Sequence, residues 1–239
     1  ERFTWVFHAL GTESISGEGN IVDITRPKAR LHMDILTPQN LNRITKPYVD
    51  QDKSFIQLET QESATEARFL ALMIPSSDEN RGERENWKTT YIQDAGWIGT
   101  EVERGRITDR ILFRTEPGWE QATSGDFNTD GDRLVVSKNM DEKIEKLWVR
   151  NALILKDIGT PDNRTLIQCD TRATVAVAYN AGEMRIESDT DKIANLSVWL
   201  EKKPNSVLLN GEKTRFLFDN DTGLLTLSVL AGHNSVNVR

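Results

Sequence analysis

One cysteine, three histidines and no apolar run of membrane-spanning length set the first limits on this 239-residue chain. A lone Cys169 excludes an internal disulfide and a cysteine-based metal cluster. With so few histidines and cysteines, a zinc site would have to recruit carboxylates. No stretch approaches the ~20 apolar residues that a membrane-crossing helix needs. No glycine-rich phosphate loop, Ser/His/Asp order or His-x-x-x-His spacing is present. Positive charge is also short: 30 Lys and Arg against 37 Asp and Glu give a formal charge of −7. That balance argues against nucleic acid as a partner, because phosphate binding wants a basic footprint. Helical periodicity is scarce, and only residues 141–146 read as a short helix. The chain opens at Glu1 inside a strand pattern, without an initiator Met, so a mature or excised piece of something longer is expected.

What is present is alternation. In Phe3-Thr4-Trp5-Val6-Phe7-His8 the aromatics fall on one face, while Arg2, Thr4, Val6 and His8 fall on the other. In 29–36, Ala29, Leu31, Met33 and Ile35 make an apolar face opposite Lys28, Arg30, His32 and Asp34. Further strand signals follow at 55–59, 66–74, 87–94, 97–103, 106–114, 133–137, 148–155, 165–169, 173–179, 184–187, 194–200, 215–218, 224–229 and 235–238. Glycine- and Asx-rich turns such as Arg104-Gly105, Asn210-Gly211 and Asp221-Thr222-Gly223 separate many of them. This spacing predicts an all-β fold, a large antiparallel sandwich followed by a smaller one. The segment 156–163 has no periodicity and carries Gly, Pro and Asn. It predicts a boundary between domains at 1–158 and 159–239. The continuous apolar run Leu70–Ala71–Leu72–Met73–Ile74 reads as a strand buried on both faces.

Two segments could carry chemistry. If Arg104-Gly105 is a two-residue turn, Val102 pairs with Ile107 and Trp97 with Leu112. One face of this hairpin then collects Trp97, Arg106, Arg110 and Arg114. An indole beside guanidinium groups suits an acidic sugar, the ring stacking on the pyranose while Arg grips a carboxylate or sulfate. Glu101 and Glu103 share that face and would neutralise the same arginines as ordinary cross-strand pairs. The second segment, 126–132, matches the first half of a calcium loop, with Asp126, Asn128, Asp130 and Asp132 as oxygen ligands. Its second half fails, since Ser137 stands at position twelve and no helix flanks it. A structural Ca2+ and a polar Asx turn both fit these letters.

These residues resemble the C-terminal β-sheet region of heparinase II/III-like polysaccharide lyases and their alginate-lyase relatives. The motifs are Trp5-Val6-Phe7-His8-Ala9, the alternating strand ending at Pro38, and Phe69-Leu70-Ala71-Leu72-Met73-Ile74-Pro75. Gly96-Trp97-Ile98-Gly99, the Asp109–Phe113 strand and the Thr129-Asp130-Gly131 turn continue the order, over roughly residues 1–155. The tail from about 165 is similar to a small terminal sandwich on many carbohydrate-active enzymes. The resemblance implies a secreted or periplasmic bacterial protein that meets an anionic, uronic-acid-containing polysaccharide and needs no cofactor. It implies that His8 is the catalytic histidine, helping to hold the uronate carboxylate during β-elimination. A surface or inter-layer histidine that satisfies a backbone group reads the same way. The helical domain that supplies most catalytic groups in those lyases is missing from this chain and would be its partner. Alone, the chain is therefore not expected to turn over substrate. A stand-alone carbohydrate-binding module and a structural sandwich packed on a missing catalytic domain are the alternatives.

Overall fold

The computed structural model describes residues 1–8, 14–47, 54–77, 87–116, 118–180 and 182–239, without the side chains of 8, 14, 45–47 and 54. Among them the chain is all β, with 22 strands and no helix. It divides into two compact units, Glu1–Trp87 and Lys88–Arg239.

The first unit holds β1 (Thr4–His8), β2 (Ser14–Ser16), β3 (Ile21–Arg26), β4 (Ala29–Thr37), β5 (Leu41–Pro47), β6 (Ser54–Thr60) and β7 (Leu70–Ser77). They form two antiparallel sheets, β1-β6-β5 and β2-β3-β4-β7. The alternation seen in the sequence sets which faces meet. Val22, Met33 and Ile35 of one sheet share a core with Leu41, Ile56 and Leu58 of the other, with Trp5, Phe7 and Leu31 packed against it. Each fully buried Leu or Ile removes enough apolar surface to stabilise the unit by roughly 1.5–3 kcal/mol. The run 70–74 departs from the expectation of burial on both faces. Ile74 is buried, whereas Met73 is 49% exposed.

The second unit contains β8 (Lys88–Asp94), β9 (Trp97–Arg104), β10 (Ile107–Arg114), β11 (Ala122–Ser124), β12 (Phe127–Thr129), β13 (Arg133–Asn139), β14 (Ile144–Asp157) and β15 (Arg164–Asn180). It continues with β16 (Glu183–Thr190), β17 (Ala194–Trp199), β18 (Val207–Leu209), β19 (Glu212–Lys213), β20 (Leu217–Asp219), β21 (Leu224–Val229) and β22 (Gly232–Val238). All fifteen belong to one hydrogen-bonded sheet. The long β14–β15 hairpin carries the sheet from one layer to the other. Near Leu147–Val149 it pairs with β13 and with Val175–Val177 of β15, and near Leu155–Asp157 it pairs with β12. β15 in turn pairs with β17 through Ile167–Cys169 and with β16 from Ala173 onward. Between these stretches the register shifts, and Asn151 adopts φ +59°. Such bulges bend a strand and let it serve two layers. Inward residues of both layers, among them Leu147, Val175 and Ile186 against Leu155, Leu196 and Leu225, form one core.

Two sequence expectations meet a different arrangement here. The segment 156–163 lies at the β14–β15 connection, and the seven-stranded unit comes first in the chain. Gly, Pro and Asn mark a tight turn and a linker alike, so composition did not separate them. Residues 141–146 form no helix. Asn139 Oδ1 accepts the amides of Asp141 and Lys143 at 3.0 and 3.1 Å, and Glu142 takes φ +57°. This Asx-capped turn joins β13 to β14.

Candidate functional site

The hairpin of β9 and β10 turns at Gly105-Arg106, pairing Arg104 with Ile107, Glu101 with Arg110 and Trp97 with Arg114. Gly105 takes φ +61° at the first turn position, where a residue without Cβ is unstrained. A turn at Arg104-Gly105 would have placed an arginine there. The two-residue shift keeps each side chain on its expected face and changes every partner. Trp97 is 1% exposed and lies in the core with Leu112, Phe127 and Leu134. Its Nε1 has no hydrogen-bond partner among the described residues. It is therefore not an open stacking platform, which corrects the reading of Trp97 as a sugar-binding residue. Arg114 packs over its ring at 5.2 Å and donates to the carbonyls of Gly131, at 3.3 Å, and Glu120. Arg106 stands exposed in the turn.

Arg110 lies elsewhere, in a depression of about 370 Å³ with Glu101, Glu103, Asp126, Lys138 and Glu142. Its guanidinium lies 3.0 Å from Glu101. Lys138 lies 3.2 Å from Asp126, 3.4 Å from Glu142 and 5.3 Å from the Phe127 ring. Four carboxylates against two cations give this surface the wrong sign for an acidic sugar. The four expected binding residues thus do not form one site.

Segment 126–132 is built into the bend of the sheet. Asp126 pairs with Lys138, and Asn128 Nδ2 donates to Thr123 Oγ1 at 2.9 Å. Thr129 Oγ1 donates to the Ile154 carbonyl at 2.6 Å. Asp130, 4% exposed, accepts the amides of Leu153 and Ile154 on Oδ1, at 2.9 and 3.0 Å. Its Oδ2 lies 3.2 Å from Arg172. Asp132 stands 3.7 Å from Arg150. Gly131 is needed because a Cβ there would meet the Arg150 carbonyl and a Val149 methyl at 2.8 Å. The oxygens expected to converge on calcium are distributed among separate partners. Among the described residues no group of three His, Cys, Asp or Glu is placed to hold a metal ion.

Beside this bend lies a second depression, of about 600 Å³, lined by Phe113, Arg114, Trp119, Asp132 and Arg133 among others. Trp119 is 58% exposed, and one side of its ring rests on the Arg172 guanidinium at 3.8 Å. Arg133 is exposed, lies 5.7 Å from the Phe113 ring and, among the described residues, forms no ion pair. It stands directly across from Arg150 on β14, a like-charge pairing that costs stability in a sheet. An open indole, a second ring and the Arg114 and Arg133 guanidinium groups therefore share one rim with the carboxylates of Glu116 and Asp132, of which Asp132 lies 3.7 Å from Arg150. By sequence, Trp119 and Trp87 read either as extensions of a stacking platform or, as large aromatics more often are, as core. The Trp119 partner Arg172 is 53 residues away in the chain, so no local signal joins them.

In the first unit, His32 sits between two carboxylates, Nδ1 2.8 Å from Asp23 and Nε2 3.1 Å from Asp34. Arg30 lies 2.9 Å from Asp23. Burial opposes charge on Asp23, but bonds from Arg30 and His32 outweigh it and hold the carboxyl below the usual range. The side chain of His8 lies outside the described residues; its backbone pairs with Phe55 in the β1–β6 ladder. Cys169 is buried, and burial pushes its thiol up, disfavouring the thiolate. Comparison with protein-family models and with curated proteins finds no match. The resemblance to heparinase II/III-like lyases is therefore carried by the quoted motifs alone.

Proposed function

We propose that this chain is a carbohydrate-binding β module for an anionic polysaccharide, with its ligand face at Trp119, Phe113 and Arg133. The carrying observation is the exposed Trp119 indole, backed by Arg172 and beside the exposed Arg133. A sugar ring stacks its C–H face on an indole, and a guanidinium binds a carboxylate through two parallel hydrogen bonds. Both needs are met on one rim, in a chain whose overall charge is negative. The rim's two guanidinium groups match its two carboxylates, whereas the first depression sets four carboxylates against two cations.

Affinity electrophoresis against uronate-containing and neutral polysaccharides tests this reading. The parent should be retarded by the acidic polymers, and Trp119→Ala should weaken that retention at least tenfold, about 1.4 kcal/mol. Equal retention by neutral polymers, or unchanged retention of Trp119→Ala, overturns it. Ultraviolet absorbance from an unsaturated uronate in the same samples would add lyase chemistry to binding.

A further inference from the structure

We infer that Arg172 is a positioning residue for Trp119, fixing the indole before any ligand arrives; this rests on the binding role proposed for that indole. The guanidinium that supports the ring is itself held from behind. It donates to the Asn151 carbonyl at 2.7 Å and lies 3.2 Å from Asp130 Oδ2. Asp130 is buried and anchored by two backbone amides at the bend of β14. The chain of contacts runs from the bend through Asp130 and Arg172 to the exposed ring. The neighbouring backbone is tied as well, since Arg114 binds the Glu120 carbonyl while packed on buried Trp97.

This arrangement matters because Trp119 lies outside any strand. An unsupported exposed side chain must be immobilised when it binds, which weakens affinity by about 2- to 12-fold. A flat guanidinium stacked on the ring removes that cost beforehand. Lysine at position 172 would keep a charge opposite Asp130 and lose the flat support.

The test is Arg172→Lys, read by fluorine NMR of fluorotryptophan-labelled protein, with the Trp119 signal assigned by its loss in Trp119→Phe. In the ligand-free parent that signal should be shifted by the guanidinium, and in Arg172→Lys it should move toward the solvent-exposed position. Affinity for an acidic polysaccharide should fall about 2- to 12-fold. The same substitution in a Trp119→Ala background should have no further effect on binding. An unmoved Trp119 signal overturns the inference. A moved signal in a protein that binds no polysaccharide supports the positioning role and rejects the binding role. Trp119→Ala provides a check that needs no change at Arg172. Removing the exposed ring should shift the Arg172 side-chain protons by loss of its ring current, and unchanged protons overturn the inference.

Discussion

The two depressions of the second unit are both lined by arginine, and they differ in what those arginines already hold. In the first, Arg110 and Lys138 are each within 3.5 Å of carboxylates. In the second, Arg133 faces a ring and another arginine across the ladder, while Trp119 stays open. Basic residues on a face are therefore not enough to make an anion site. What counts is whether neighbouring strands supply the counter-charge.

The largest effect that would sharpen this contrast lies beneath the second depression. Asp130→Ala leaves Arg172 with half-buried charge and frees two buried amides, and should cost about 3–5 kcal/mol. Thermal melting should show it clearly, whereas Asp126→Ala in the first depression should melt within a few degrees of the parent. The two tryptophans separate next. Trp97→Ala opens a core cavity and should cost about 3–5 kcal/mol by urea unfolding. Trp119→Ala should leave stability within about 0.5 kcal/mol while removing polysaccharide retention. If Trp97→Ala weakens binding with no loss of stability, the contrast is broken.

Smaller still, a double-mutant cycle on Glu101 and Arg110 should give a coupling of about 0.2–1 kcal/mol, since both side chains are partly exposed. Polysaccharide binding should be the same throughout that cycle. In the first unit, Asp23 extends the rule that paired charge is structural. Its carboxyl is held below the usual range when folded, so its contribution is present above the unfolded value. That contribution disappears as pH falls through the folded value. Asp23→Asn should flatten the acid limb of the melting-temperature profile, and a limb of unchanged slope would remove Asp23 from it.

Much of the strand layout was legible because alternation is local. Trp5, Phe7, Leu31, Met33 and Ile35 all face the core that their period-two pattern indicates. The same pattern put Trp97 and Arg110 on one face of the hairpin, where the structure has them too. It could not say that this face is the buried one at Trp97 and the open one at Arg110. That depends on β11 and β12, which reach the sheet through β14.

The sequence by itself determined an all-β chain and its strand alternation, since each depends on residues near one another, but not the register of the Gly105 turn. Only the tertiary structure decided the roles of the chemistry-bearing side chains. Asp130 meets amides at 153 and 154, Arg172 meets Trp119, and Arg110 meets Glu101. A carboxylate or an indole is functional or structural according to what closes around it, and the strand pairings that bring those partners together are long-range.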